Sequence, residues 1–178
     1  MKNVQMSDFP FLNVQEKNLS FEQVFERMVA YIKKETNSKI CLMVGTDSQV
    51  HRRHTVFITG IVIKREGEKA WTCRKKIVIP RKMVHLYERI SFETSLTEEI
   101  GYLLTDEKRN YLIDLIAPHL YEGADITFEG HIDIGNEKRN KTREFVNEME
   151  NRIKSVGFEP KIKPYSIAAS YYANRYTK

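Results

Sequence analysis

The sequence predicts an α/β protein built on a mixed five-stranded sheet with helices packed against it, and three observations carry that expectation. The run Ile40-Cys41-Leu42-Met43-Val44 is apolar at every position, the pattern of a strand buried on both faces. Residues 56–64 and 70–79 are β-rich and joined by Arg65-Glu66-Gly67-Glu68-Lys69, the pattern of an antiparallel hairpin. Beyond Pro80 the pattern turns to helices, then strand, helix, strand and helix, an alternation that calls for parallel pairing.

Each element follows from local chemistry. Residues 1–18 mix polar and apolar side chains around Pro10 and read as an irregular lead-in to a single domain spanning 1–178. Ser20 with Gln23 three positions later has the form of a capping box. Phe21, Val24, Phe25, Met28, Val29 and Ile32 then recur at helical spacing, so a helix is expected over 21–35. The first strand is expected over 40–46. Leu86, Ile90, Leu96, Ile100 and Leu103-Leu104 anchor a long helix that also carries Glu88, Glu93, Glu98 and Glu99. A shorter helix over 107–117 stops at Pro118. Residues 125–133 alternate, with Ile126, Phe128, Gly130 and Ile132 facing one way and Thr127, Glu129, His131 and Asp133 the other. Residues 142–155 read as helix, with Gly157 placed to close it in a left-handed conformation. A short strand over 158–163 precedes Pro164, and a helix over 166–176 closes the chain.

With 178 residues and 41% hydrophobic content the chain can bury a core of one domain, and a charged fraction of 30% does not point to disorder. No apolar run approaches the roughly 20 residues of a membrane span, and Met1-Lys2-Asn3-Val4-Gln5-Met6-Ser7-Asp8 has no apolar signal-peptide core. Cys41 and Cys73 have neither metal-ligand spacing nor the density of a disulfide scaffold. A reduced, cytoplasmic protein with no membrane partner is expected. The net charge of +5 suits a polyanionic partner, nucleic acid above all. The cations gather in His51-Arg52-Arg53-His54, Arg74-Lys75-Lys76, Arg81-Lys82 and Lys138-Arg139-Asn140-Lys141. Singly, each reads as solvated surface; four converging on one face would make phosphate contacts.

Asp47, in Val44-Gly45-Thr46-Asp47-Ser48-Gln49, is the most informative residue. A carboxylate at the end of a doubly buried strand is costly unless something positive compensates it. Gly45 and the hydroxyls of Thr46 and Ser48 leave space and hydrogen bonds for a charged visitor. The bland alternative is a strand ending in an Asp-Ser turn. Asp133, in His131-Ile132-Asp133-Ile134-Gly135, stands in a similar setting. If the two strands are central neighbours the carboxylates lie side by side, repel, and call for a cation such as Mg2+ or Mn2+.

These motifs resemble those of the ribonuclease H-like superfamily, and more closely the YkuK-type family of predicted RNase H-related nucleases. The resemblance rests on Gly45-Thr46-Asp47-Ser48-Gln49, Glu93-Thr94, His131-Ile132-Asp133-Ile134-Gly135 and Lys163-Pro164-Tyr165-Ser166-Ile167-Ala168-Ala169-Ser170, and covers about residues 20–178. It implies an RNase H-like fold in which Asp47, Glu93 and Asp133 are catalytic metal ligands for two Mg2+ or Mn2+ ions. It implies hydrolysis of phosphodiester bonds in RNA, an RNA–DNA hybrid or DNA. At the fourth ligand position, where the family pattern has an acid, Ala173-Asn174-Arg175 places Asn174, which offers a carbonyl oxygen but no charge. Lys163, Arg52 and Arg53 are the expected phosphate-binding cations. Asn174 also motivates the competing expectation, a nucleic-acid-binding or assembly module with a vestigial metal site. His131 reads first as a satisfied sheet histidine, and His51 and His54 as loop residues rather than a zinc pair. Tyr171, Tyr172 and Tyr176 read as core before they read as base-stacking platforms.

Overall fold

The computed structural model describes residues 10–135 and 141–177, apart from the side chains of residues 169–171. The chain runs β1 (Phe11–Leu12), α1 (Phe21–Lys33), β2 (Lys39–Val50), β3 (Thr55–Arg65), β4 (Trp71–Ile79), α2 (Leu86–Leu103), α3 (Asp106–Ile116), β5 (Asp125–Ile132), α4 (Val146–Ser155) and β6 (Glu159–Lys161). It ends in a π-helical stretch, Ala168–Ala173, and a 3-10 turn, Asn174–Tyr176. The strands form one sheet in the order β1-β4-β3-β2-β5-β6. Pairing is parallel between β2 and β5 and between β5 and β6, and antiparallel elsewhere.

The mixed sheet is the one expected, with one strand more. The addition is β1, whose Phe11 and Leu12 pair with Lys75 and Arg74. Two residues carry no periodicity, so the segment reads as irregular in sequence; its Phe11 ring is held 6.0 Å from Phe21. The start of α1 is as expected, because both halves of the capping box form: Gln23 N donates to Ser20 Oγ at 3.2 Å and Ser20 N to Gln23 Oε1 at 2.9 Å. Gly157 follows α4 at φ +78°, the left-handed value its position requires.

All four α-helices lie on one face. Val24, Met28 and Ile32 of α1, Ile90 and Ile100 of α2, Leu112 of α3 and Met149 and Ile153 of α4 share one core with Leu42, Val44, Ile61 and Ile63 of the sheet. Truncating one such side chain costs about 2–5 kcal/mol. The other face is covered by the C-terminal stretch, with Ala168 against Met43 and Val62, and Ala173 against Val56 and Ile58. Gly60 makes this close approach possible, since a Cβ there would meet the Tyr172 ring at 2.4 Å. The α-helix expected over 166–176 is corrected to a π-helical stretch and a 3-10 turn. Part of the reason is tertiary: the Ala168 N–H, at the start of the stretch, donates to His131 Nδ1 of β5 at 2.9 Å.

Candidate active site

Register brings the two aspartates together. In the parallel β2–β5 pair Thr46 stands opposite Ile132, so Asp47 and Asp133 are the next residue of each chain. There β5 stops, while β2 continues to Val50 along β3, with Asp47 opposite Ile58. The expected strand end at residue 46 and the Asp-Ser turn are thereby corrected: the hairpin ladder carries the polar half of β2 onward. Unequal strand lengths leave a notch beside Asp47 at the carboxyl ends of the parallel strands, the usual ligand position in open α/β sheets.

From α2, Glu93 reaches toward the same notch. It is only 6% exposed, more buried than Glu88, Glu98 and Glu99 of the same helix. Ser48 Oγ donates to Glu93 Oε1, and Arg89, one turn earlier, has its Nε 3.9 Å from the same oxygen. Glu88, indistinguishable from Glu93 by local pattern, points outward and pairs with Arg81.

The acids feel one another. Burial, with the negative charge of Asp133, pushes the Asp47 carboxyl up to about 6, although the Ser48 N–H, Lys163 and Arg89 oppose the rise. Burial pushes Glu93 up to about 8, against its Ser48 hydrogen bond and the charge of Arg89, with Asp47 and Asp133 adding to the rise. Three carboxylates thus face two cations in a half-buried notch. Lys163 supplies one: its Nζ lies 3.1 Å from Asp133 Oδ2 and its backbone N donates to Ile134 O at 2.8 Å. The cation expected to meet phosphate is, in this structure, paired with an acid of the site.

The C-terminus borders the notch. The Thr177 hydroxyl lies 3.0 Å from the Asn174 carbonyl oxygen and 3.5 Å from Asp47 Oδ2, and the Thr177 carbonyl oxygen lies 3.2 Å from His51 Nε2. Asn174 is an exposed residue that enters this contact through its backbone carbonyl. Arg52 and Arg53 are exposed at the β2–β3 tip, where His51 N donates to His54 O at 2.8 Å and the two histidine rings stack at 4.7 Å.

The other basic clusters do not converge as a set. Strand alternation splits Arg74-Lys75-Lys76: Lys75 is 2% exposed and bonds Glu99 at 2.8 Å, while Arg74 lies 3.7 Å over the Tyr176 ring. Arg81 is taken by Glu88, and residues 138–140 lie outside the described residues, as does the Tyr171 side chain. Tyr172 and Tyr176 meet edge to face at 5.4 Å against the sheet, the core role. His131 is buried and satisfied, its Nδ1 accepting from Ala168 and its Nε2 donating to Glu129 Oε2 at 2.8 Å. The sequence reading missed Arg89 and Thr177; the first had a signal, its i,i+4 spacing to Glu93.

Three carboxylates are the oxygen donors that Mg2+ and Mn2+ take, and the raised proton affinity of Asp47 and Glu93 marks a shortfall of positive charge, so the donor chemistry fits a divalent cation. Among the described residues, however, no three His, Cys, Asp or Glu side chains are gathered to hold a metal ion. Ser48 engages Glu93 and Lys163 engages Asp133 instead.

Comparison with known proteins agrees with this architecture. The family described as Ribonuclease H-like matches residues 23–178. The chain is 43% identical over 170 residues to the Uncharacterized protein YkuK of Bacillus subtilis (strain 168), covering 96% of this chain and 98% of that protein. No solved structure matches. Among the described residues no helix is long and apolar enough to cross a membrane.

Proposed function

Because the chain belongs to the ribonuclease H-like family, whose fold is nuclease-like and typically uses divalent metals, we propose that it is a metal-dependent nuclease. Its reaction is hydrolysis of phosphodiester bonds in RNA, an RNA–DNA hybrid or DNA. The observation that supports this reading is geometric: Asp47 and Asp133 follow the paired Thr46 and Ile132 on neighbouring parallel strands, and Glu93 is tied to the adjacent Ser48.

Asp47 would be shared by two cations, with Glu93 holding one and Asp133 with the Asn174 side-chain oxygen the other. When bound, such a pair supplies Lewis-acid activation of water and stabilises charge on the leaving oxygen. The protein's own groups do the rest. Ser48 fixes the Glu93 carboxylate in orientation. Arg89 limits the repulsion among the acids and thereby keeps Asp47 ionised nearer neutrality. Arg52 and Arg53, exposed at the hairpin tip, hold phosphates flanking the scissile bond, a contact that weakens with salt.

The test is a screen of RNA, DNA and hybrid substrates with and without Mn2+, comparing the wild type with Asp47→Asn. Cleavage is expected only with the divalent ion, with a loss of at least about 10^3-fold in the variant. A second reading, a nucleic-acid-binding or assembly module with a vestigial metal site, is favoured by the uncharged Asn174 at the fourth position. It prevails if no substrate is cleaved while Asp47→Asn binds nucleic acid as the wild type does.

A further inference from the structure

Lys163 is the odd member of the notch. Its backbone is fastened beside Asp133 by the bond from its N–H to the Ile134 carbonyl, 2.8 Å. Its side chain is nevertheless 48% exposed and ends on Asp133 Oδ2 at 3.1 Å, where the carboxylate itself is 22% exposed. The backbone is fastened, while the ammonium end is open to solvent. Arg89 is placed differently, its guanidinium beside Glu93 of its own helix. Lys161, two residues earlier, is committed to Glu159 and Glu129 and cannot replace Lys163.

We propose that Lys163 is a built-in substitute for the divalent cation: its ammonium occupies Asp133 until a metal ion enters, then swings out to meet a substrate phosphate. This deepens the nuclease reading and rests on it. An oxygen of Asp133 that faces an ammonium at 3.1 Å cannot also ligate a metal without losing that contact, so metal and ammonium compete. The competition guards the protein against an unneutralised acid cluster and weakens metal binding in the absence of substrate. It also couples the two ligands: a metal ion frees the ammonium for phosphate, and a phosphate that draws the ammonium away strengthens metal binding by the same factor.

Mn2+ binding, measured by electron paramagnetic resonance without nucleic acid, tests this on the wild type, Lys163→Met and Lys163→Arg. Lys163→Met is expected to bind about tenfold more tightly than the wild type, since a competing charge a few ångströms away is removed. Lys163→Arg, which keeps the charge, is expected to show no such gain. In the wild type, Mn2+ should also raise the acylation rate of the Lys163 amine, read by mass spectrometry, a measurement that needs no variant. Equal or weaker Mn2+ binding by Lys163→Met, or an acylation rate that Mn2+ leaves unchanged, overturns the substitution but leaves the nuclease reading intact. Absence of Mn2+ binding in all three proteins overturns both.

Discussion

Lys75 on β4 and Asp47 on β2 stand in adjacent rows of the same sheet, Lys75 in register with Thr59 and Thr46, Asp47 with Ile58 and Lys76. Both carry charge below the surface, on different terms. Lys75 pairs with Glu99 at 2.8 Å, its ammonium 5.6 Å from the Phe11 ring centre, and a second pair under α2 follows the same rule: Arg152 forks onto Glu98 and adds the Ser91 and Ser95 hydroxyls at 2.9 and 2.8 Å. There, charges are matched one to one and the pairs tie β4 and α4 to α2. At the notch, Asp47, Glu93 and Asp133 share Arg89 and Lys163, and burial with mutual repulsion raises the proton affinity of Asp47 and Glu93. Matched pairs hold a fold together; an unmatched cluster asks for a ligand.

The contrast can be broken by mutation. Glu99→Ala leaves the Lys75 ammonium buried and unpaired, and is expected to cost about 3–5 kcal/mol in urea unfolding. A near-neutral result would mean that Lys75 is not held by this pair. Acid substitution at the notch should act in the opposite direction.

Dependence on pH sharpens it further. The folded-state carboxyls of Asp47 and Glu93 keep their protons up to about 6 and 8, whereas in the unfolded chain they release them near the ordinary carboxylate values. Between those limits the folded state binds more protons, so stability without metal falls as pH rises from 5 to 8. A profile that climbs with pH across this window would contradict the electrostatic picture. The smallest effect is that of Asp47→Asn: at pH 8 without metal it removes repulsion and is expected to stabilise the fold by about 1 kcal/mol, read as a higher thermal midpoint.

What was legible in the sequence follows from the range of the interactions. The α1 cap, the hairpin and the buried β2 core are local, and Ser20 with Gln23 or the apolar run at Ile40 announces them directly. Edge strand β1 was not legible, because Phe11 and Leu12 take their conformation from β4, some sixty positions away. Nor was the π-helical C-terminus, whose path depends on Gly60 and His131 of distant strands. Within the site, Asp47 and Asp133 were found from their strand context, and Glu93 only through the resemblance, since α2 offers several acids and tertiary packing alone distinguishes Glu93 from Glu88. Lys163 was read as a phosphate ligand because nothing local reveals that its head lies on Asp133.

Thermal unfolding at pH 8, with and without Mn2+, bears most directly on the claim that the notch holds less positive charge than its three acids need. Mn2+ at about 100 times its dissociation constant should stabilise the wild type by roughly 2.7 kcal/mol, and should leave Asp47→Asn nearly unmoved. An unfolding midpoint that Mn2+ does not raise in the wild type, or raises equally in both proteins, would contradict it.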